Sequence, residues 1–248
     1  MKRVSYVFGA IAAASILAGC AGTDTSALAG AGVSMFQAAS LTDDQVKSVS
    51  DQACAESDKK NQVEAANGKY TQRLNKIMTG LRDSGVPVQS KVYLTKDVNA
   101  WAMANGCVRV YSGLMDMMND DEVRGVLGHE IGHVALGHTK TATQVAAAAS
   151  AARGALASGS GVVATLSASQ LGDLTEKLIN AQFSQKQETA ADDYSFDLLK
   201  KNGANRQGLV TAFQKLATLD NGKSSMFSSH PGSAERAQHI SSRLSKEK

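Results

Sequence analysis

The sequence predicts a mostly α fold with a small β-sheet, an α+β arrangement in a single domain. Three observations carry that expectation. Apolar residues recur at spacings of three and four over most of the chain beyond Thr42. Strict alternation is confined to a short region between Lys91 and Gly113. The 248 residues hold only 2 prolines and are rich in Ala and Gly, which favours helices joined by Gly-rich connections. That length suffices for one sizeable core or two small ones.

Residues 1–19 stand apart as a signal peptide. Lys2 and Arg3 precede the apolar run "VSYVFGAIAAASILAG", too short and Ala-rich for a membrane span. The run ends in "LAGC" at Leu17–Cys20, which resembles a bacterial lipobox, so Cys20 is the expected lipidation site. Three acyl chains give stable attachment, since each buried methylene adds about 0.8 kcal/mol. Ala21, not Asp, follows the cysteine, and by the sorting rule for such lipoproteins the anchor belongs in the outer membrane, facing the periplasm. Residues 20–40 then read as a lipidated tether, partly ordered near Phe36. The formal charge is +3, but Lys2 and Arg3 lie in the leader, which leaves about +1 and gives no sign of nucleic acid binding.

Thr42, followed by Asp43 and Asp44, caps a first helix whose Val46, Val49, Ala53 and Cys54 share a face. A second is expected over Lys69–Asp83, on Tyr70, Leu74, Ile77 and Leu81, and "SGVPV" breaks it. Strands follow in "KVYLT", "NAWAMANG" and "CVRVYSG", with a turn at Asn105–Gly106. From Leu114 onward the pattern is helical. "DDEVRGVLGHEIGHVALGH" has an acidic start and an apolar face through Val123, Val126, Leu127, Ile131, Val134 and Ala135. Thr141–Ser169 reads as a small-residue helix, a mobile "SGSG" connection and a further helix, fit either for tight packing or for a lid. A long helix over Leu171–Lys201, stopped by Asn202–Gly203, precedes helices in "NRQGLVTAFQKLATL" and "HPGSAERAQHISSRL", the last with Pro231 near its start.

With Cys20 lipidated, two cysteines remain, Cys54 and Cys107. In an oxidising compartment a disulfide is the simplest reading. Two buried free thiols are an alternative; metal ligation is disfavoured by their separation and by the absence of any CxxC.

The chemistry concentrates in "HEIGH". Residues four apart on a helix lie about 40° apart around the axis, so His129 and His133 point the same way and can ligate one ion. Glu130 lies about 100° round, beside the ion, where it can act on water. This is the HExxH pattern of catalytic zinc. His138 follows His133 by five residues, about 140° away on a continued helix, and is expected to face the helix dipole or solvent. The third ligand must come from a distant helix. "QKQETAADDYSFDLL" offers Glu188, completing a His₂Glu set with an open fourth position, and Asp192, one turn on, placed to accept a hydrogen bond from a ligand imidazole.

"HEIGH", "ETAAD" and "HPGSAER" together resemble the gluzincin zinc metalloproteases, the family of the CAAX prenyl proteases, the HtpX membrane proteases and periplasmic outer-membrane-associated enzymes. The similarity runs from about Leu41 to the end, with Ala190 standing where relatives often have Glu. It implies a zincin-type metallopeptidase domain over 41–248 with HExxH on a central helix, one Zn²⁺ held by His129, His133 and Glu188, and Glu130 as catalytic base. It further singles out His230, either capping the metal or donating to the reacting carbonyl, and Arg236, bracing that loop or polarising the carbonyl. Asn99, Ala100 and Trp101 resemble the edge strand on which substrates lie extended. Substrates implied by location and family are unfolded or misassembled envelope proteins, with outer-membrane assembly factors as further partners. The rival reading is a mostly latent, zinc-capped chaperone or assembly adaptor. A purely structural zinc module fits least, because such sites favour four protein ligands and cysteine.

Overall fold

The computed structural model describes residues 41–155, 168–219, 226 and 229–247. The lipobox, the tether and the "SGSG" connection lie outside these residues. Nine named α-helices and one three-stranded sheet make up the described part, so the mostly α expectation with a small sheet holds. No described helix is long and apolar enough to cross a membrane.

Helix α1 spans Asp43–Lys60 and begins with a capping box, Thr42 and Gln45 each accepting from the other's backbone N–H. Helix α2, Lys69–Met78, buries Leu74 and Ile77. It stops short of the expected Asp83, because the chain tightens into a 3-10 turn over Thr79–Leu81 and Asp83 takes φ 58°. The sheet holds β1 (Gln89–Tyr93), β2 (Ala100–Ala102) and β3 (Cys107–Tyr111) in the order β1-β3-β2. β1 pairs parallel to β3 and β2 antiparallel, with Trp101 opposite Arg109. Gly106, at φ 82°, makes the expected β2–β3 turn.

Cys54 of α1 and Cys107 of β3 form the disulfide, with Cα atoms 6.6 Å apart. Beside it Asp58 accepts from Arg109 Nε and Nη2 at 2.7 and 2.9 Å, from Lys91 at 2.7 Å and from the Tyr93 hydroxyl at 2.7 Å. Burial opposes the charge on Asp58, but these donors outweigh it and hold its pKa down at about 2.

After α3 (Ser112–Met117), Asn119 and Glu122 form the capping box of α4, Asp120–Ala135. This helix is buried along most of its length, with Val126, Leu127 and Ile131 in the main core. Helices α5 (His138–Ala155) and α6 (Ala168–Ile179) pack against each other and against α1. The single helix expected over Leu171–Lys201 is in fact two. Ser184 and Gln187 form a third capping box, which restarts the chain as α7, Gln185–Lys201. α7 ends as expected at Asn202 and Gly203, the latter at φ 63°. Helices α8 (Gln207–Ala217) and α9 (Ser233–Lys246) complete the fold, packed on each other.

The approach of α7 to α4 is what builds the site. A Cβ on Gly128 would stand 2.5 Å from Ser195 Oγ, so only glycine admits α7 this close. Ser195 Oγ donates across the gap to the Gly125 carbonyl at 2.9 Å.

Candidate metal centre

His129 and His133 sit one turn apart on α4, both fully buried. The apolar face of the helix is locked in the core, so both imidazoles project into one space. α7 brings Glu188 to the same space, and the turn before α9, opened by Gly232 at φ 81°, brings His230. Each of these four side chains offers one donor atom, and the four atoms lie within 4.8 Å of one another. His129 Nε2 is 3.0 Å from His133 Nε2 and 3.3 Å from His230 Nδ1. Glu188 Oε1 is 3.0 Å from His230 Nδ1 and 3.5 Å from His133 Nε2, while Oε2 is 3.5 Å from His129 Nε2.

Those separations suit a small tetrahedral cation. Four donors about 2.0–2.1 Å from a common centre stand about 3.3–3.4 Å apart along the edges of a tetrahedron. The charges point the same way. Three buried carboxylates, Glu130, Glu188 and Asp192, face a single guanidinium, Arg236, and the excess of negative charge matches a divalent ion. Glu130 Oε1 and Glu188 Oε2 are buried without a well-directed hydrogen bond among the described residues. The residues therefore fit the implied zinc.

The surrounding polar groups orient the donors. His129 Nδ1 lies 2.8 Å from Asp192 Oδ1 and 3.0 Å from Arg236 Nη2, and a proton held on Nδ1 toward that carboxylate would leave Nε2 for the metal. Asp192 accepts in turn from Arg236 Nη2 at 2.6 Å and Nε at 2.8 Å. Arg236 Nη1 lies 2.9 Å from Glu188 Oε2, and its guanidinium stacks on Phe213 at 4.1 Å. Arg236 thus braces the His230 turn, whose carbonyl it reaches at 3.4 Å, and anchors the ligand set.

Burial dominates the acid–base behaviour. It pushes Glu130 up to about 7, against the pull of His230. It pushes His133 down to about 4 and His129 down as well. For Glu188 burial acts upward, but the hydrogen bonds from His133 and His230 outweigh it and keep the carboxylate charged. For His230 burial acts downward, yet Glu130 and Glu188 outweigh it and strengthen its hold on a proton. The last two shifts express one fact: the site is short of positive charge.

His138 departs from its expected place. It belongs to no donor set, as the spacing required, and it stays half-exposed, but its ring turns toward His133. α4 ends at Ala135, Gly137 takes φ 74°, and the reversed chain brings His138 Nδ1 to 3.0 Å from His133 Nδ1. Were His133 Nε2 to bind the metal, its Nδ1–H would donate to His138 Nδ1. Phe183, which the pattern did not flag, stacks on the His133 ring at 4.0 Å and 28°. It lies in the link between α6 and α7, so only the break in the expected long helix places it there. Ala100 and Trp101 lie on β2, which is an edge in strand order, and Asn99 precedes it; all three are buried. The Asn99 carbonyl accepts from Tyr111 N at 3.0 Å.

Comparison with known proteins adds to this geometry. Residues 64–244 match the sequence profile of peptidase family M48. Over 246 residues the chain is 56% identical to "Metalloprotease LoiP" of Escherichia coli (strain K12), covering 98% of each protein. It is 52% identical over 250 residues to "Metalloprotease YcaL" of the same organism, again covering 98% of each. A shorter match, 40% identical over 73 residues, joins it to "Protease HtpX" of Thioalkalivibrio sulfidiphilus, over 27% of this chain and 25% of that protein.

Proposed function

Because the chain belongs to peptidase family M48, and so is a zinc metalloprotease, we propose that it is an endopeptidase held at the periplasmic face of the outer membrane by an acylated Cys20. Its substrates in this reading are misfolded or unassembled envelope proteins, and outer-membrane assembly factors are its candidate partners. The lipobox-like "LAGC" with Ala21 after it supports the location. The observation that carries the chemistry is the juxtaposition of the four donors with a buried Glu130 Oε1 that makes no hydrogen bond among the described residues.

Zinc, when bound by His129, His133 and Glu188, supplies Lewis acidity to the scissile carbonyl and to water. Glu130 Oε1 takes a proton from the attacking water and hands it to the leaving amine nitrogen, and its raised pKa suits both transfers near neutral pH. Asp192 fixes the tautomer of His129, and His138 does the same for His133. Arg236 holds Asp192, Glu188 and the His230 turn in register.

A second state is favoured by a specific observation. His230 Nδ1 occupies the fourth donor position and its Nε2 lies 3.5 Å from Glu130 Oε1, while the ligand residues are almost fully buried. In this arrangement His230 would hold the metal as a fourth ligand, and the enzyme would rest latent.

The test uses the full-length chain in detergent, loaded with zinc, incubated with an unfolded protein. Wild type cleaves, Glu130→Gln binds zinc but does not cleave, and His230→Ala cleaves faster if the cap is real. Cleavage that survives Glu130→Gln overturns the mechanism. A zinc-bound protein inactive in every form supports the adaptor reading instead. Palmitate labelling lost in Cys20→Ala, together with fractionation of outer-membrane vesicles, tests the anchor.

A further inference from the structure

The four donors of the metal centre are almost fully buried, so an ion needs a way in. Two sides of the set are closed by packing. Phe183 and His138 cover the His133 ring, and Asp192 and Phe213 back His129. Glu188 is different, because it borders a cavity of about 440 Å³ between α7 and α9. Gln185 and Thr189, one turn apart on α7, form one wall. Glu235 and His239, one turn apart on α9, form the other, with His239 Nε2 held 2.7 Å from Asp193. Gly232, in the turn that carries His230, lines the end. Apart from its chain neighbours, a Cβ on Gly232 would meet only Glu235 Oε2 within 4 Å, at 3.7 Å, so the turn faces open space beside a carboxylate. Glu235 is exposed and makes no ion pair among the described residues. Arg236 also borders the cavity, but its charge is taken up by Asp192, on Nε and Nη2, and by Glu188, on Nη1. An uncommitted carboxylate at the rim thus stands over a buried ligand carboxylate at the floor.

We propose that this cavity is the passage by which the divalent cation reaches and leaves the four donors, with Glu235 drawing it to the mouth and Glu188 receiving it at the floor. The inference rests on the metal centre and not on peptide-bond cleavage. An exposed carboxylate at the rim of a cleft raises the local concentration of a dication and its rate of entry. Carboxylate oxygen and imidazole nitrogen are ligand types that zinc accepts, so Glu235 and His239 can replace water on the ion as it passes between the helices. Of the passage residues only Glu188 holds the ion once it is bound. The walls therefore set rates without entering the equilibrium. Whatever slows entry slows departure by the same factor and leaves affinity unchanged.

The experiment follows zinc itself, on the full-length protein in detergent. Stopped-flow mixing of the zinc-free protein with a zinc-loaded chromogenic chelator gives the rate of uptake, and transfer from loaded protein to excess chelator gives the rate of release. Gln185→Trp and Thr189→Phe, both at exposed positions of α7, fill the passage. In each, uptake and release both slow about tenfold or more, while their ratio, the affinity, stays within twofold of wild type. Glu235→Gln slows uptake about threefold at low ionic strength, and the difference disappears in 1 M salt, where screening acts within about 3 Å. Val145→Trp, in the separate cavity on the α5 side of Phe183, is the control and changes neither rate. Far-UV circular dichroism checks that each variant is folded. Wild-type rates in both filled variants overturn the proposal. So does slowing in Val145→Trp alone, which would put the passage on the other side of the centre. A loss of affinity that matches the change in one rate also overturns it, because the residues would then act on the bound ion. A protein that exchanges zinc as expected but cleaves nothing removes the endopeptidase reading and leaves the passage standing.

Discussion

Replacing Asp192 by Asn tests whether the metal centre depends on its supporting polar groups. Asp192 is fully buried, with one oxygen 2.8 Å from His129 Nδ1 and 2.6 Å from Arg236 Nη2, and the other 2.8 Å from Arg236 Nε. An amide keeps only one acceptor oxygen. Its NH₂ must face either His129 Nδ1–H or Arg236 Nε–H, donor against donor, and the negative charge is lost. A hydrogen bond between charged groups is worth about 1.5–3 kcal/mol. Zinc bound through His129 is therefore expected to weaken by roughly 10- to 100-fold, the range found when such supporting partners are removed. Competition for zinc against a chromogenic chelator measures this on the full-length protein, with far-UV circular dichroism confirming that the variant is folded. Asp193→Asn is the control. Among the described residues the Asp193 carboxylate bonds with His239 and Arg243, at 2.7 and 2.8 Å, and its replacement should leave zinc affinity within twofold of wild type. A folded Asp192→Asn protein that binds zinc within threefold of wild type would refute the orienting role.

Other outcomes follow from the same structure. Cys54→Ser with Cys107→Ser opens a loop closed over a sequence separation of 53 and should lower unfolding free energy by about 4 kcal/mol in the chain-entropy model, read by denaturant titration of oxidised and double-variant protein. Asp58 has its folded pKa depressed to about 2, so its contribution is present above the unfolded value near 4 and is lost as pH falls through 2. At pH 7 this amounts to about 2 kcal/mol, and the gap between wild type and Asp58→Asn should shrink by roughly 1 kcal/mol between pH 7 and pH 3; a constant gap would contradict the ion-pair account. Gly128→Ala gains about 1 kcal/mol of helix propensity, yet its Cβ meets Ser195 Oγ at 2.5 Å, so net destabilisation of about 1–2 kcal/mol is expected, and Ser195→Gly should recover part of it in a double-mutant cycle.

The ligand set was legible because metal chemistry imposes spacing that composition alone does not. His129 and His133 one turn apart, and Glu188 with Asp192 one turn apart, are patterns a helix makes meaningful in one dimension. What depended on breaks in helices was harder to see. The contact of His138 with His133 is not legible from helical spacing, because the helix ends at Ala135 and Gly137 turns the chain back. Phe183 was invisible for a related reason. Ser184 and Gln187 carry the S-x-x-Q signature of a helix start, but it lies within an unbroken polar stretch, and nothing nearby marked a stop. The glycines at 125, 128 and 132 form a stripe on α4 that could have announced close helix approach. The identity of the facing residues, Leu209, Ser195 and Ala191, needed three dimensions. The cysteine pair is the simplest reading of the two cysteines left once Cys20 is set aside as the expected lipobox residue, and the Cys54–Cys107 disulfide agrees with it.

Arg236 has a consequence for the order in which the molecule becomes whole. It neutralises Glu188 and Asp192 from α9, the helix that begins at Ser233. Until that helix is made and docked, two carboxylates on α7 stand next to the histidines with no permanent cation between them, and the metal would be gripped by an unbraced set. The centre therefore reaches its final affinity only once α9 is docked. A copy that lacks α9 would leave those carboxylates unbraced and is expected to bind the metal more weakly.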